Sequence, residues 1–143
     1  MTSKLRVVFD TSVVVSAVLL PRSVPRQAFD RAQEHGKVLI SVATVDELNE
    51  VLRRQRFDKY VREDQRLEFL AALIREAELV KVTEVVAECR DPKDNKFLEL
   101  AISGKGTCII SGDNDLLVLH PFRSIPVVTP QTFLTQSWLG EDV

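Results

Sequence analysis

Apolar positions along this chain fall into two rhythms, short continuous runs and longer stretches repeating every three to four residues. The run LRVVF over 5–9 is short, apolar and rich in β-branched residues, and predicts a buried central strand. A helix is expected to follow through residue 20 and to stop at Pro21. Residues 24–35 read as a helix closed by Gly36, and 38–41 as a second strand. Residues 44–54 carry Val45, Leu48, Val51 and Leu52 at helical spacing, and 64–78 carry Leu67, Leu70, Ala71 and Ile74 along one expected face. A third strand is expected over 79–82. A helix over 92–103 turns Phe97, Leu98, Ala101 and Ile102 inward, with Gly104 near its end. Strands over 108–111 and 126–128 follow, and Thr129 and Pro130 open a last short helix.

Strands alternating with helices imply right-handed crossovers and a mostly parallel sheet covered on both faces, hence the α/β class. A chain of 143 residues fits one domain, read as 1–143 with its core at about 5–134. With 45% hydrophobic and 28% charged residues it has the balance of an ordinary globular protein. Its 5 Gly and 6 Pro argue against a disordered or repetitive architecture.

The net charge of −2 gives no overall attraction for nucleic acid. The basic residues are uneven, however: Arg53, Arg54, Arg56, Lys59, Arg62 and Arg66 lie in one short stretch, so a local positive patch can sit beside an acidic pocket. Cys89 and Cys108 have neither zinc-ligand nor redox-pair spacing, which fits a reducing compartment. The apolar segment over 5–20 contains Arg6 and Asp10, and is too short between charges to span a bilayer. It reads as core, with a cytoplasmic location and no membrane partner expected. His35 and His120 stand beside a helix-ending glycine and a proline, in expected surface positions, and there is no Gly-rich phosphate loop.

Ligands of open parallel sheets bind beyond the carboxyl ends of the strands. Asp10 follows the first predicted strand and Asp113 the fourth. Glu47 and Asp94 fall in the first turns of the helices after the second and third. Each has a structural reading of its own: Asp10 as an N-cap, Glu47 as the glutamate of a Thr44–Glu47 capping box, Asp94 as part of a cap formed with Asp91, and Asp113 as a turn residue. As a set they converge on one edge. Two carboxylates about 4 Å apart repel by roughly 1–4 kcal/mol, so gathering four would consume much of a stability of about 5–15 kcal/mol unless cations balance them. Hard oxygen donors suit Mg²⁺ or Mn²⁺, one or two ions.

The segments holding these acids, VVFDTSVVVSAVL, SVATVDELNEVLRR, DPKDNKFLELA and CIISGDNDLL, resemble in order the four motifs of PIN-domain nucleases, and among them the VapC-like toxins of toxin–antitoxin pairs. The resemblance covers about 5–134. It implies a three-layer α/β/α sandwich with a five-stranded sheet and metal-dependent cleavage of single-stranded RNA to 5′-phosphate and 3′-hydroxyl ends. It places the family's acids on Asp10, Glu47, Asp94 and Asp113, with Asp10, Asp94 and Asp113 as metal ligands and Asp115 as an accessory. Asp91 is an alternative to Asp94, and Asp115 to Asp113. Thr11, Ser12 and Ser111 are candidate supporting hydroxyls. Arg53, Arg54, Arg56 and Lys59 are candidate RNA contacts. A cognate antitoxin and a homodimer are the implied partners. Two other readings compete: a haloacid-dehalogenase-type phosphatase, which wants a second aspartate where Ser12 stands, and a non-catalytic PIN-type binding module.

Overall fold

The structure, a computed structural model, describes residues 4–136 and Trp138, so both ends of the expected 1–143 domain lie outside the described residues. Five strands, β1 (Leu5–Phe9), β2 (Gly36–Ile40), β3 (Glu78–Leu79), β4 (Cys108–Ile110) and β5 (Val127–Val128), form one sheet in the order β3-β2-β1-β4-β5, every pair parallel. The expected α/β/α sandwich is thus the observed fold. The helices are α1 (Thr11–Leu19), α2 (Val24–His35), α3 (Val42–Leu52), α4 (Glu63–Glu76), α5 (Asn95–Ser103), α6 (Asn114–Leu117) and α7 (Pro130–Thr135). Short 3-10 turns at Gln55–Phe57 and Pro92–Asp94 precede α4 and α5.

Alternation along the strands divides the core in two. Leu5, Val7 and Phe9 of β1, with Cys108 and Ile110 of β4, pack under α1, α2, α3, α4 and α7. Val8 and Ile109 face the other way, toward Phe97, Leu98 and Ala101 of α5 and Leu116 of α6. The chain winds outward from β1 through β2 to β3, then crosses to β4 and β5. The topological switch point, where such sheets open a ligand crevice, therefore lies between the carboxyl ends of β1 and β4.

Several expected boundaries move, each for a local reason. Gly36 does not close α2 in a left-handed turn. It is extended, starts β2 and pairs with Leu5, where a Cβ would lie 2.0 Å from the Leu5 carbonyl oxygen, so only glycine allows that approach. Helix α3 begins two residues early because Ser41 is its N-cap. The Ser41 hydroxyl accepts from Thr44 N–H (3.2 Å) and the Thr44 hydroxyl accepts from Ser41 N–H (2.9 Å), so Thr44 is the third helical residue and not the cap. In α4 the buried face is Arg66, Leu70 and Leu73, and Ile74 is exposed, contrary to the face expected from Leu67, Leu70, Ala71 and Ile74. The third strand is confined to Glu78–Leu79. The helix expected over 92–103 is a 3-10 turn followed by α5, with Asp94 at the junction.

Arg66 is fully buried. Its guanidinium donates to the Leu52 carbonyl (2.7 Å), the Arg54 carbonyl (3.3 Å), the Val61 carbonyl and the Asp58 carboxylate (3.0 Å). One side chain thereby satisfies the end of α3 and the whole connection to α4.

Candidate active site

Asp10, Glu47, Asp94 and Asp113 line one cavity of about 440 Å³ at the switch point, together with Asp91, Thr11, Ser12, Arg54, Arg56 and Lys93. Asp10 is placed by the sheet. Its N–H continues the ladder to the Ile110 carbonyl (3.1 Å), and its Oδ1 accepts from Val13 N–H (2.9 Å), capping α1. Its Oδ2 accepts from the Ser111 hydroxyl, which in turn accepts from Asp113 N–H (2.9 Å). Ser111 is fully buried, so one hydroxyl ties the acids at the ends of β1 and β4 together. Asp10 is 4% exposed, and burial pushes its carboxyl above the usual range against the opposing effect of the Ser111 hydrogen bond.

Asp113 caps α6 by accepting from Asp115 N–H (2.9 Å), so the expected turn role and the cavity position coincide. Asp91 is the cap of the 3-10 turn, accepting from Lys93 N–H (3.0 Å). Asp94 caps nothing. Its Oδ2 is, among the described residues, the one buried side-chain oxygen or nitrogen without a hydrogen-bond partner. Burial first, then contact with the Asp113 carboxyl and the like charges of Asp91 and Glu47, raise its pKa to about 7.

Glu47 lies in the second turn of α3, because the true cap is Ser41, so the capping-box reading of this residue does not hold. Its Oε2 accepts from the Thr11 hydroxyl and its Oε1 meets the Lys96 ammonium at 2.5 Å. Three helices thus meet on one carboxylate.

Other expected residues lie elsewhere. Asp115 does not line the cavity and sits in the first turn of α6, with Asp113 between its backbone and the site. Of the basic stretch, Arg54 and Arg56 reach the cavity, while Arg53 is turned to Asn49 (3.1 Å) and the Lys59 ammonium lies over the Tyr60 ring. Arg66 is removed from the surface altogether. Lys93 and Lys96 also stand at the site, outside the expected set. Their signal is the three-residue spacing within DPKDNK, which puts both on one face beside Asp94.

Among the described residues, no three carboxylate, imidazole or thiol groups form a ready-made metal cage. The donor set nevertheless fits a hard divalent ion. Mg²⁺ keeps several waters and is ordinarily held by one or two carboxylates, and here an unpartnered Asp94 oxygen faces other acids in an open cavity.

A model of the PIN domain matches residues 6–115. The uncharacterized protein MJ1680 of Methanocaldococcus jannaschii is 29% identical over 143 residues, spanning 93% of this chain and 92% of that protein. Among solved structures, PAE2754 from Pyrobaculum aerophilum superposes with a TM-score of 0.60 at 12% identity, over 91% of this chain and 88% of the other. The DNA-bound VapBC from Salmonella typhimurium gives 0.59 at 15% identity, over 88% and 98%. VapBC2 from Rickettsia felis, bound to a DNA fragment from its promoter, gives 0.58 at 10% identity, over 86% and 97%. These structures share the fold. The domain match favours the PIN resemblance over the haloacid-dehalogenase one, for which Ser12 is the wrong residue. With its match running from β1 through Asp115, this chain belongs to the PIN-domain family, a family of nucleases.

Proposed function

We propose that this chain is a Mg²⁺- or Mn²⁺-dependent endoribonuclease that cuts single-stranded RNA and serves as the toxin of a toxin–antitoxin pair. The observation that carries the reading is the half-buried Asp94 carboxyl, whose Oδ2 is out of solvent without a partner and which is crowded by Asp113, Asp91 and Glu47. Such crowding is unfavourable in a site built only for stability, and a divalent ion relieves it. Asp10, Asp94 and Asp113 hold one or two ions, directly or through water. Bound there, the ion lowers the pKa of its water and stabilises charge on the scissile phosphate. Glu47 orients the attacking water and accepts its proton. Ser111 orients Asp10 and Asp113, and Thr11 orients Glu47. Arg54, Arg56 and Lys93, which line the same cavity, meet the RNA backbone.

The toxin role draws support from the fold shared with two VapBC structures. On this reading an antitoxin blocks the cavity and the active form is a homodimer. The purified protein is expected to degrade unstructured RNA with Mg²⁺ or Mn²⁺ and to stop with EDTA. Asp10→Asn is expected to lose about 100-fold or more in cleavage rate. Asparagine caps helices as well as aspartate does, so thermal unfolding is expected to remain cooperative. Full activity in this variant would refute the assignment.

A further inference from the structure

The four cavity acids are not equivalent. Asp94 has an oxygen with no partner, whereas both oxygens of Glu47 are committed, one to the Thr11 hydroxyl of α1 and one to the Lys96 ammonium of α5. The Lys96–Glu47 pair is partly withdrawn from water, with side chains 20% and 24% exposed, and the ammonium also lies 5.8 Å from the centre of the Phe97 ring. An ion pair in that setting is held more firmly than one at the open surface. Lys96 enters two residues after Asp94, from the first turn of α5, so a single short segment supplies both the unpartnered acid and a fixed positive charge to the same site.

We propose that Lys96 is a positioning residue of this site: its ammonium and the Thr11 hydroxyl hold the Glu47 carboxylate outside the metal's coordination sphere, leaving Asp10, Asp94 and Asp113 as the ligands. The inference rests on the nuclease reading and assigns Glu47 to the water rather than to a second ion. Asp10 is also hydrogen-bonded at both oxygens, but only by neutral donors, whereas the Lys96 ammonium already offsets the charge with which Glu47 would attract a cation. A fixed ammonium beside it also repels an arriving divalent ion. Lys96 therefore lowers metal affinity while it sharpens the orientation of Glu47, and these two effects have opposite signs in a substitution.

The test is Mn²⁺ binding by calorimetry and by the loss of the free-ion electron paramagnetic resonance signal, with cleavage of unstructured RNA measured separately. Lys96→Met is expected to bind Mn²⁺ about 3- to 10-fold more tightly, and to cleave about 10- to 100-fold more slowly at saturating metal. Lys96→Arg is expected to return Mn²⁺ affinity to the wild-type value and to recover part of the rate. Glu47→Gln is expected to leave Mn²⁺ affinity within about 2-fold, whereas Asp94→Asn weakens it about 10-fold or more. Unchanged or weaker Mn²⁺ binding by Lys96→Met would overturn the proposal, as would a Glu47→Gln loss equal to that of Asp94→Asn, or a wild-type protein that binds no Mn²⁺. If the wild-type protein binds Mn²⁺ in the expected order of variants but cleaves no RNA, the substrate assignment fails while the placing of Lys96 and Glu47 stands.

Discussion

The floor and the rim of the cavity are built on opposite principles. The floor, Asp10 with Ser111 and Asp113, is an extension of the two innermost strands. Asp10 N–H bonds to Ile110, Ser111 N–H bonds to Val128 (2.9 Å), and the buried Ser111 hydroxyl joins the acids across the gap. The rim, with Arg54 and Arg56, is carried by a 3-10 turn that belongs to no sheet and is held by Arg66. The floor therefore inherits its precision from backbone pairing and can tolerate mutually repelling charges. The rim depends on one side chain, and its own charges have only local partners, Arg54 with Glu50 (3.8 Å) and Arg56 over the Phe57 ring. The deeply buried Asp10 is thus placed where the scaffold is stiffest.

The largest expected effect separates these two supports. Arg66→Met would leave the Leu52, Arg54 and Val61 carbonyls without their donor, and each buried unsatisfied group costs about 1–3 kcal/mol. A total loss of about 3–5 kcal/mol is expected in urea denaturation. A loss below about 1 kcal/mol would mean that the turn holds itself and that the contrast is false.

Next in size is the rim's own contribution. In an Asp10→Asn background, which permits RNA binding to be followed without cleavage, Arg54→Ala with Arg56→Ala is expected to weaken binding about 10-fold. The pair should also flatten the dependence of log affinity on log salt by about 1.4, roughly 0.7 for each single-strand phosphate contact. A parallel shift with unchanged salt slope would take both arginines off the RNA path.

The smallest effect reads Asp94, the acid crowded against the floor. Because the folded state raises Asp94 from 3.8 to about 7, the folded protein binds that proton more tightly than the unfolded chain does. The associated stability is fully present below about pH 4 and is lost as the pH rises through about 7. Asp10 acts in the same direction. In EDTA the melting temperature is expected to fall by a few degrees between pH 5 and 8, and Asp94→Asn or added Mg²⁺ should reduce that slope. A melting temperature that climbs over the same window would show that Asp94 is not crowded by like charge.

Much of this arrangement was legible in the residues. The run over 5–9, the helical stretch over 24–35 and the Thr129–Pro130 pair are strong local signals, and β1, α2 and α7 lie where those signals put them. Asp91 was readable as a cap and is one. Local pattern failed where two residues offered the same chemistry. Ser41 and Thr44 both offer a cap for α3; the sequence favours Thr44 and so puts Glu47 in the first turn, whereas Ser41 is the cap and Glu47 reaches the expected cavity from the second turn. The basic stretch puts Arg66 in a charged patch, because spacing says which residues share a face but not that a guanidinium will find four acceptors beneath it.

Hydrophobic rhythm and capping residues are short-range quantities, and they were sufficient for the class of the fold, the order of its strands and helices, and the edge at which the acids would gather. The state of each acid was not contained in them. Asp94 and Glu47 are both carboxylates near helix starts, yet one is left with an unpartnered oxygen and the other is held by Thr11 and Lys96, residues 36 and 49 positions away. Which partners meet across such separations depends on how the helices close over the sheet, since electrostatic and hydrogen-bond energies fall off with distance in space and take no account of distance along the chain.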